Sequence, residues 1–314
     1  MHKRMAGRRH IFLHKLDFLI SVILLLRTFA EGITQHVLHI PIGGEILRSV
    51  LKYPGSKGKI VKWLCSLIPE HDVYLEPFFG SGTVFFNKQK ARIETINDLD
   101  GNVVNYFKVI RDHPQELMDA LSLTPFARDE YEAAYLLNNL DDDVEKARKF
   151  AVKCWMGFGC GNLYKNGFRS TQQGNGPRTT HVWSLLPDII RMSADRLLDA
   201  QIENLPAVEL IKRYDTPDVF IYADPPYLGT LRKPYLYPHD MRTEEEHIEL
   251  LTALKAHPGK VLLSGFDNGL YDSYLEGWHK ETRASQAEKG VRRIECVWMN
   301  YELPETGQLS FNDI

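Results

Sequence analysis

An α/β fold is predicted for this chain: a Rossmann-like, doubly wound sheet that ends in an antiparallel hairpin and is interrupted by an inserted, mostly helical and loop segment. Three observations predict it. From Leu51 onward, short apolar runs alternate with segments of helical periodicity, the pattern of strands joined by crossover helices. Residues from about 110 to 200 carry helix and loop signals without clear strands. The runs "WHKETRAS" and "RRIECVWMNYEL", separated by the charged loop "QAEKGV", read as a closing hairpin. The length of 314 residues suits one large domain, or one domain carrying a sizeable insertion.

Each element has a local reason. "KGKIVKWLCSLIP" places Ile60, Val61, Leu64, Leu67 and Ile68 on one helical face and stops at Pro69. "DVYLEP" is a short strand, and "SGTVFFNKQ" is expected to start a helix. "RIETIND" is a second strand ending in Asn97 and Asp98. "GNVVNYFKVIRDHPQELMDAL" is helix broken at Pro114, and "DDDVEKARKFAVKCWMGF" is helix with acids in its first turn. Residues 159–181, rich in Gly, Asn, Gln and Thr, read as loop. "VWSLLPDIIRMSADRLLDA" is helix interrupted near Pro187, followed by strand "QIENL" and helix "AVELIKRY". Val219 to Tyr222 form a buried strand; helix "TEEEHIELLTALKAH" and strand "KVLLSGF" follow. The expected division is a catalytic domain of residues 49–110 and 200–303, an insert of 111–199, an extension of 1–48 and a tail of 304–314.

Composition is that of an ordinary globular protein, with 44% apolar and 25% charged residues. The net charge of −3 carries no overall nucleic-acid signal, so any such surface must be local. Cys65, Cys154, Cys160 and Cys296 form no C-x-x-C pair and no metal spacing, which suggests reduced thiols in a cytoplasmic protein and no metal. The first fifty residues begin basic and carry an apolar run from Phe18 to Leu26. They resemble a secretory signal, and the run is too short to span a membrane. An amphipathic or poorly ordered extension, or translated sequence upstream of the true start, is the preferred alternative.

The chemistry concentrates in a few stretches. In "DVFIYADPPYLGT", Asp224, Pro225, Pro226 and Tyr227 follow a strand directly. The prolines bar both a continuing ladder and a helix, so an acid and an aromatic are held where open α/β sheets bind ligands. In "YLEPFFGSGTVFF", the first strand ends at Glu76, Phe78 follows, and Gly80, Ser81 and Gly82 turn the chain. Glycines there admit a ligand close to the backbone. The stretch is neither a P-loop nor a full G-x-G-x-x-G, because Phe85 holds the third glycine position; a tight structural turn is the competing reading. Asp98 suits a ribose diol, although Asp98 or Asp100 could equally cap the next helix. "KYPGSKGK" sets Tyr53 and Lys57 before a helix; the bland reading is a solvated lysine. From Lys146 to Pro187 there is no acid, while Lys153, Lys165, Arg169 and Arg178 are among seven cations interleaved with Trp155, Phe158, Tyr164 and Phe168. That is a plausible DNA surface, against the alternative of a flexible solvated loop.

Taken together, "KYPGSK", "LEPFFGSG", "IND", "DPPY", "LLSGF" and "WMNYEL" resemble the Dam-like adenine-N6 DNA methyltransferases, including phage and prophage members, from about Leu51 to Tyr301. The resemblance implies the methyltransferase version of the Rossmann-like fold, with S-adenosylmethionine as methyl donor and no metal. It implies that Asp224 and the Pro225 carbonyl accept hydrogen bonds from the N6 amine of a flipped adenine, on which Tyr227 stacks. Gly80 and Gly82 would face the donor, with Glu76, Phe78 and Ser81 nearby, Asp98 at the ribose, and Tyr53 and Lys57 at the methionine end or the adenine. Lys153, Lys165, Arg169 and Arg178 would meet double-stranded DNA. Arg169 is expected to read a base with Phe168 wedging beside it, and Arg178 to meet a phosphate. A monomer without membrane contact is expected, with a cognate restriction endonuclease as a possible partner. Methylation of RNA adenine or of a protein amide, or a non-catalytic DNA-binding relic, are the alternatives.

Overall fold

The computed structural model describes residues 49–136, 142–159, 164–171, 178–228, 239–286 and 292–303. The expectations for the extension, for Cys160, for the tail and for the hairpin tip lie outside the described residues.

Seven strands form one sheet in the order β3-β2-β1-β4-β5-β7-β6. Strands β1 (Val73–Glu76), β2 (Ile93–Asn97), β3 (Ala200–Glu203), β4 (Val219–Ala223) and β5 (Val261–Phe266) run parallel. Strands β6 (His279–Gln286) and β7 (Arg292–Met299) form the expected hairpin, with β7 antiparallel to β5. Period-two alternation builds two cores from one sheet. Tyr74, Phe220, Tyr222 and Leu262 point into one apolar cluster. Their neighbours Leu75, Val219, Ile221, Ala223, Val261 and Leu263 point into the other.

Helix α1 (Val61–Leu67) buries Val61, Leu64 and Leu67, as its spacing predicts. Helices α2 (Gly101–Asp112) and α3 (Pro114–Ser122) break at Pro114, which lacks the N–H that a continuous helix needs. Asp100 caps α2 by accepting from the Asn102 N–H at 2.9 Å. That settles the choice of cap and leaves Asp98 for other work. The segment between β2 and β3 continues through α4 (Arg128–Ala133), α5 (Asp143–Met156), α6 (Thr179–Ser184) and α7 (Leu186–Leu197). Its buried side chains, including Leu117, Ala147, Trp183 and Leu197, share one cluster with Phe79 and Phe107. Helices α8 (Ala207–Arg213), α9 (Glu244–Ala256) and α10 (Gly269–Tyr274) follow among the described residues, and residues of all three line the second core.

Two local expectations are corrected. No helix follows Gly82: one turn forms, with Phe86 N bonded to Gly82 O at 3.0 Å and Lys88 N to Val84 O at 2.8 Å. Gly82 at φ +65° stands outside the right-handed helical region, and Val84, Phe85 and Phe86 are all buried in the turn that follows. The loop expected to reach residue 181 stops at Arg178, where α6 begins. Buried Trp183 anchors that helix, donating from Nε1 to Thr124 O at 3.0 Å.

Candidate active site

The carboxyl ends of β1, β2 and β4 open into one cleft of about 840 Å³, counting the part open to solvent. It sits where the sheet order reverses beside β1, the usual ligand position of an open α/β sheet. Its lining includes Tyr53, Lys57, Glu76, Phe78, Gly80, Ser81, Asp98, Asp224 and Pro226. Residues far apart in sequence and singled out there thus meet in one place.

The turn after β1 is built by two left-handed glycines, Gly80 at φ +51° and Gly82 at φ +65°, a backbone state that side chains disfavour. Their roles differ. Gly80 donates its N–H to Asp98 Oδ2 at 2.8 Å and lines the cleft. Gly82, expected to face a ligand, instead makes room for packing. A Cβ there would stand 2.4 Å from the Phe79 ring and 2.8 Å from the Phe86 ring. Ser81 and Thr83 share a hydroxyl hydrogen bond of 2.7 Å. Asn97 spans Pro77 O and Leu205 O at 2.8 and 3.0 Å, tying the turn to the segment after β3.

Asp224 follows β4 and is held at both oxygens. Ser264 Oγ on β5 donates to Oδ1 at 2.8 Å, and Lys57 Nζ pairs with Oδ2 at 2.7 Å. Lys57 also donates to Tyr227 OH at 2.7 Å and to Gly55 O at 3.1 Å. Those bonds use the three donors of an ammonium. Lys57 therefore organises the Asp224–Tyr227 corner, where a contact to a ligand was expected of it. Pro225 is buried and Tyr227 half-buried; neither they nor Gly82 line the cleft itself. Ser264 escaped the reading of individual residues, although a hydroxyl in the apolar run "KVLLSGF" was its signal.

Electrostatically the cleft is acidic around one cation. Burial pushes the Glu76 carboxyl up to about 8, against a 2.7 Å hydrogen bond from Tyr74 OH. Burial likewise lifts Asp98 to about 6, against N–H donors from Asp100 and Gly80. For Lys57, burial works against the charge, but Asp224, Tyr222 and Glu295 outweigh it and raise the ammonium above its ordinary range. A cation beside Glu76 would favour the carboxylate that burial disfavours, and the Asp98 carboxylate can accept hydrogen bonds from hydroxyls. Among the described residues no His, Cys, Asp and Glu cluster could hold a metal. No helix there is long and apolar enough to cross a membrane.

The insert's cations lie away from the cleft lining, and several are already spent. Lys146 pairs with Asp143, Arg148 with Glu145 and Glu130, and Lys165 with Glu132. The acid-free stretch is thus partly neutralised by acids just upstream of it, which reduces the basic surface that sequence alone suggests. Lys153 is half-buried with its ammonium 5.1 Å from the Tyr135 ring centre. Arg169 donates from Nε to Gly157 O at 3.1 Å and from Nη2 to Gly159 O at 3.2 Å. Phe168, expected to be free to wedge, is half-buried against Phe126 and Tyr131. The exposed aromatics nearby are Phe158 and Tyr164. Arg178 is exposed at the start of α6.

The family MethyltransfD12, described as D12 class N6 adenine-specific DNA methyltransferase, matches residues 53–286. A Type II methyltransferase, M1.LlaDCHI, of Lactococcus lactis subsp. cremoris is 26% identical over 81% of this chain and 96% of its own length. A DNA adenine methylase of Vibrio cholerae is 25% identical over 57% of this chain and 65% of its own. A DNA N-6-adenine-methyltransferase of Escherichia phage P1 is 26% identical over a shorter stretch, 28% of this chain and 12% of its own.

Proposed function

Because the chain belongs to the D12 class of N6 adenine-specific DNA methyltransferases, we propose that the cleft at the ends of β1 and β4 binds S-adenosylmethionine beside a flipped adenine, with Asp224 as the central acceptor. The activity itself, methylation of adenine N6 in DNA with S-adenosylmethionine as donor, goes with the family. The observation that carries the site is the position of Asp224: one residue past β4, fixed at both oxygens, and on the same cleft as Gly80 and Asp98.

Asp98 would hold the ribose hydroxyls, Glu76 the cationic methionine end, and Phe78 the adenine ring, with Gly80 and Ser81 close beneath and Tyr53 at the edge. When bound, the donor supplies an electrophilic methyl group. The chain's own work is on the nucleophile. The N6 lone pair of adenine is delocalised into the ring. Acceptance of its two hydrogens by Asp224 and the Pro225 carbonyl favours a tetrahedral nitrogen and stabilises the positive charge that develops there. Lys57 and Ser264 keep the carboxylate aimed, which lowers reorganisation at the moment of reaction. Pro226 stiffens the corner, and Tyr227 offers a face worth about 1–3 kcal/mol of stacking to an extruded base. Incubation with DNA and tritiated S-adenosylmethionine, followed by nucleoside analysis, should find label in N6-methyladenine. Label only in RNA or protein, or none, would overturn the reading.

Glu76 makes cofactor binding pH-dependent. Below about 8 its carboxyl is neutral, so pairing with a cation must expel a proton; above it the carboxylate is ready. Affinity for S-adenosylmethionine is therefore expected to rise with pH through this range, by up to about tenfold per pH unit below it. Calorimetry in buffers of different ionisation enthalpy should register the released proton. A pH-independent affinity, or an unchanged profile in Glu76→Gln, would remove Glu76 from the contact.

We further infer that residues 49–110 and 200–303 form the catalytic part and 111–199 the target-recognition part, with Lys153, Lys165, Arg169 and Arg178 towards double-stranded DNA. Arg178→Ala should weaken binding on all sequences and lower the salt slope by about one. Arg169 is proposed to read a base, so Arg169→Ala should lose about 1–3 kcal/mol on the preferred site and little elsewhere. Fluorescence titration on preferred and scrambled duplexes at two salt concentrations separates these roles, and uniform loss with Arg169→Ala would make it a phosphate contact. We propose a phage or prophage type with a restriction endonuclease as partner, a reading for which the likeness to a Type II methyltransferase and to a phage P1 enzyme speaks; a monomeric, cytoplasmic enzyme is proposed with it.

A further inference from the structure

We infer that Glu295, on β7, is a positioning residue that clamps the hydroxyl end of Tyr227 so that its ring is set before a base arrives. This rests on the reading of Tyr227 as the base-stacking side chain and deepens it.

The Tyr227 hydroxyl has a charged group on each side. It accepts from Lys57 Nζ at 2.7 Å and donates to Glu295 Oε2 at 3.3 Å. The polarity of the chain is consistent: ammonium to hydroxyl to carboxylate, each donating onward. At the ring end, Phe266 lies with its centroid 4.1 Å from that of Tyr227, tilted by 41°. Phe266 and Glu295 are direct partners in the β5–β7 register, so one rung of the sheet supplies both the ring contact and the hydroxyl contact. Lys57, between Asp224 and Glu295, connects the same clamp to the acceptor of the reacting amine.

A stacking ring that is free to rotate must be ordered when the base docks, whereas a ring fixed at the hydroxyl and at one face has already lost that freedom. The antiparallel hairpin at the sheet edge thereby acquires a part in catalysis without touching substrate.

Glu295→Ala should lower kcat about tenfold, the size of one hydrogen bond to a charged group. It should leave the Kd for S-adenosylmethionine unchanged and reduce the 2-aminopurine fluorescence rise of a duplex carrying that probe at the target adenine. Glu295→Gln, whose amide oxygen still accepts, should recover most of the rate. Tyr227→Phe keeps the ring and leaves β7 intact; it removes the contact to Glu295 together with the one from Lys57, so its loss should equal or exceed that of Glu295→Ala, and it serves as the test if Glu295→Ala folds poorly. The double variant Tyr227→Phe/Glu295→Ala should be no slower than the slower single one. Additive losses, or Glu295→Ala with wild-type kcat and wild-type probe signal, would overturn the inference while leaving Tyr227 in place. Wild-type activity in Tyr227→Ala would instead overturn the stacking role on which it rests.

Discussion

Asp224→Ala is expected to lower methyl transfer to DNA by at least about a hundredfold while leaving S-adenosylmethionine binding within about twofold of the parent. A loss near 3 kcal/mol in the transition state corresponds to that factor. The separation follows from where the carboxylate acts: its proposed hydrogen bond strengthens only as charge develops on N6, so substrate and donor affinities have little stake in it. The surroundings add to the effect. Lys57 and Ser264 are both oriented on the carboxylate, and Lys57 is only 5% exposed. Removing Asp224 leaves that ammonium with Glu295 as its nearby acid and shifts the corner as a whole. Asp224→Asn, which keeps the shape and one acceptor, should fall between the two. Single-turnover transfer with saturating donor, beside calorimetric donor binding, checks both halves. Near-normal turnover in Asp224→Ala would remove the residue from the mechanism.

Glu94→Ala is expected to destabilise the fold by about 3–5 kcal/mol, a large part of the roughly 5–15 kcal/mol that a domain possesses. Glu94 lies on β2, and its side chain is 2% exposed. It accepts from Lys88 Nζ at 2.5 Å, from Arg196 Nη2 at 2.8 Å and from the Ala91 N–H at 3.0 Å. Arg196 also bonds Phe85 O at 3.2 Å and lies 3.9 Å over the Phe85 ring. Burial opposes the Glu94 charge, yet Arg196 and Lys88 hold its carboxyl below the usual range. Burial also pulls the Lys88 ammonium down, against the attraction of Glu94. Without Glu94, two cations remain in a space built for three charges. Arg196 belongs to α7, so the cluster fastens that helix to strand β2 of the sheet. The depressed carboxyl fixes the pH dependence: its contribution is complete above the unfolded carboxylate range and fades as pH falls through the lower folded value. Thermal unfolding of Glu94→Ala, with the apolar triple Glu94→Leu/Lys88→Met/Arg196→Met as the recovery test, measures the effect. A change in Tm under about 2 °C would show the cluster to be dispensable.

Local pattern made the secondary structure and the fold class legible. The apolar β-forming runs at Val73–Glu76 and Val219–Ala223, the break at Pro114 and the hairpin at the C-terminus are short-range consequences of side-chain type, and each appears in place. The residues of the cleft were legible as motifs, because glycine at a left-handed turn and proline after a strand announce themselves. Their partners were not. The ion pair between Lys57 and Asp224 spans the sequence from one side of the insert to the other, and the strand order alone decides that β4 lies next to β1. Gly82 was misjudged for the same reason: only the packing of Phe79 and Phe86 shows which side of the turn is full. Arg169 and Lys165 looked available because sequence counts charges, whereas folding brings Gly157 O and Glu132 to them. By itself the sequence determined the fold class and the methyltransferase motifs, the DPPY stretch that contains Asp224 among them. Tertiary structure alone decided what holds Asp224 and Tyr227 in place, since those contacts join chain segments whose proximity no local pattern encodes.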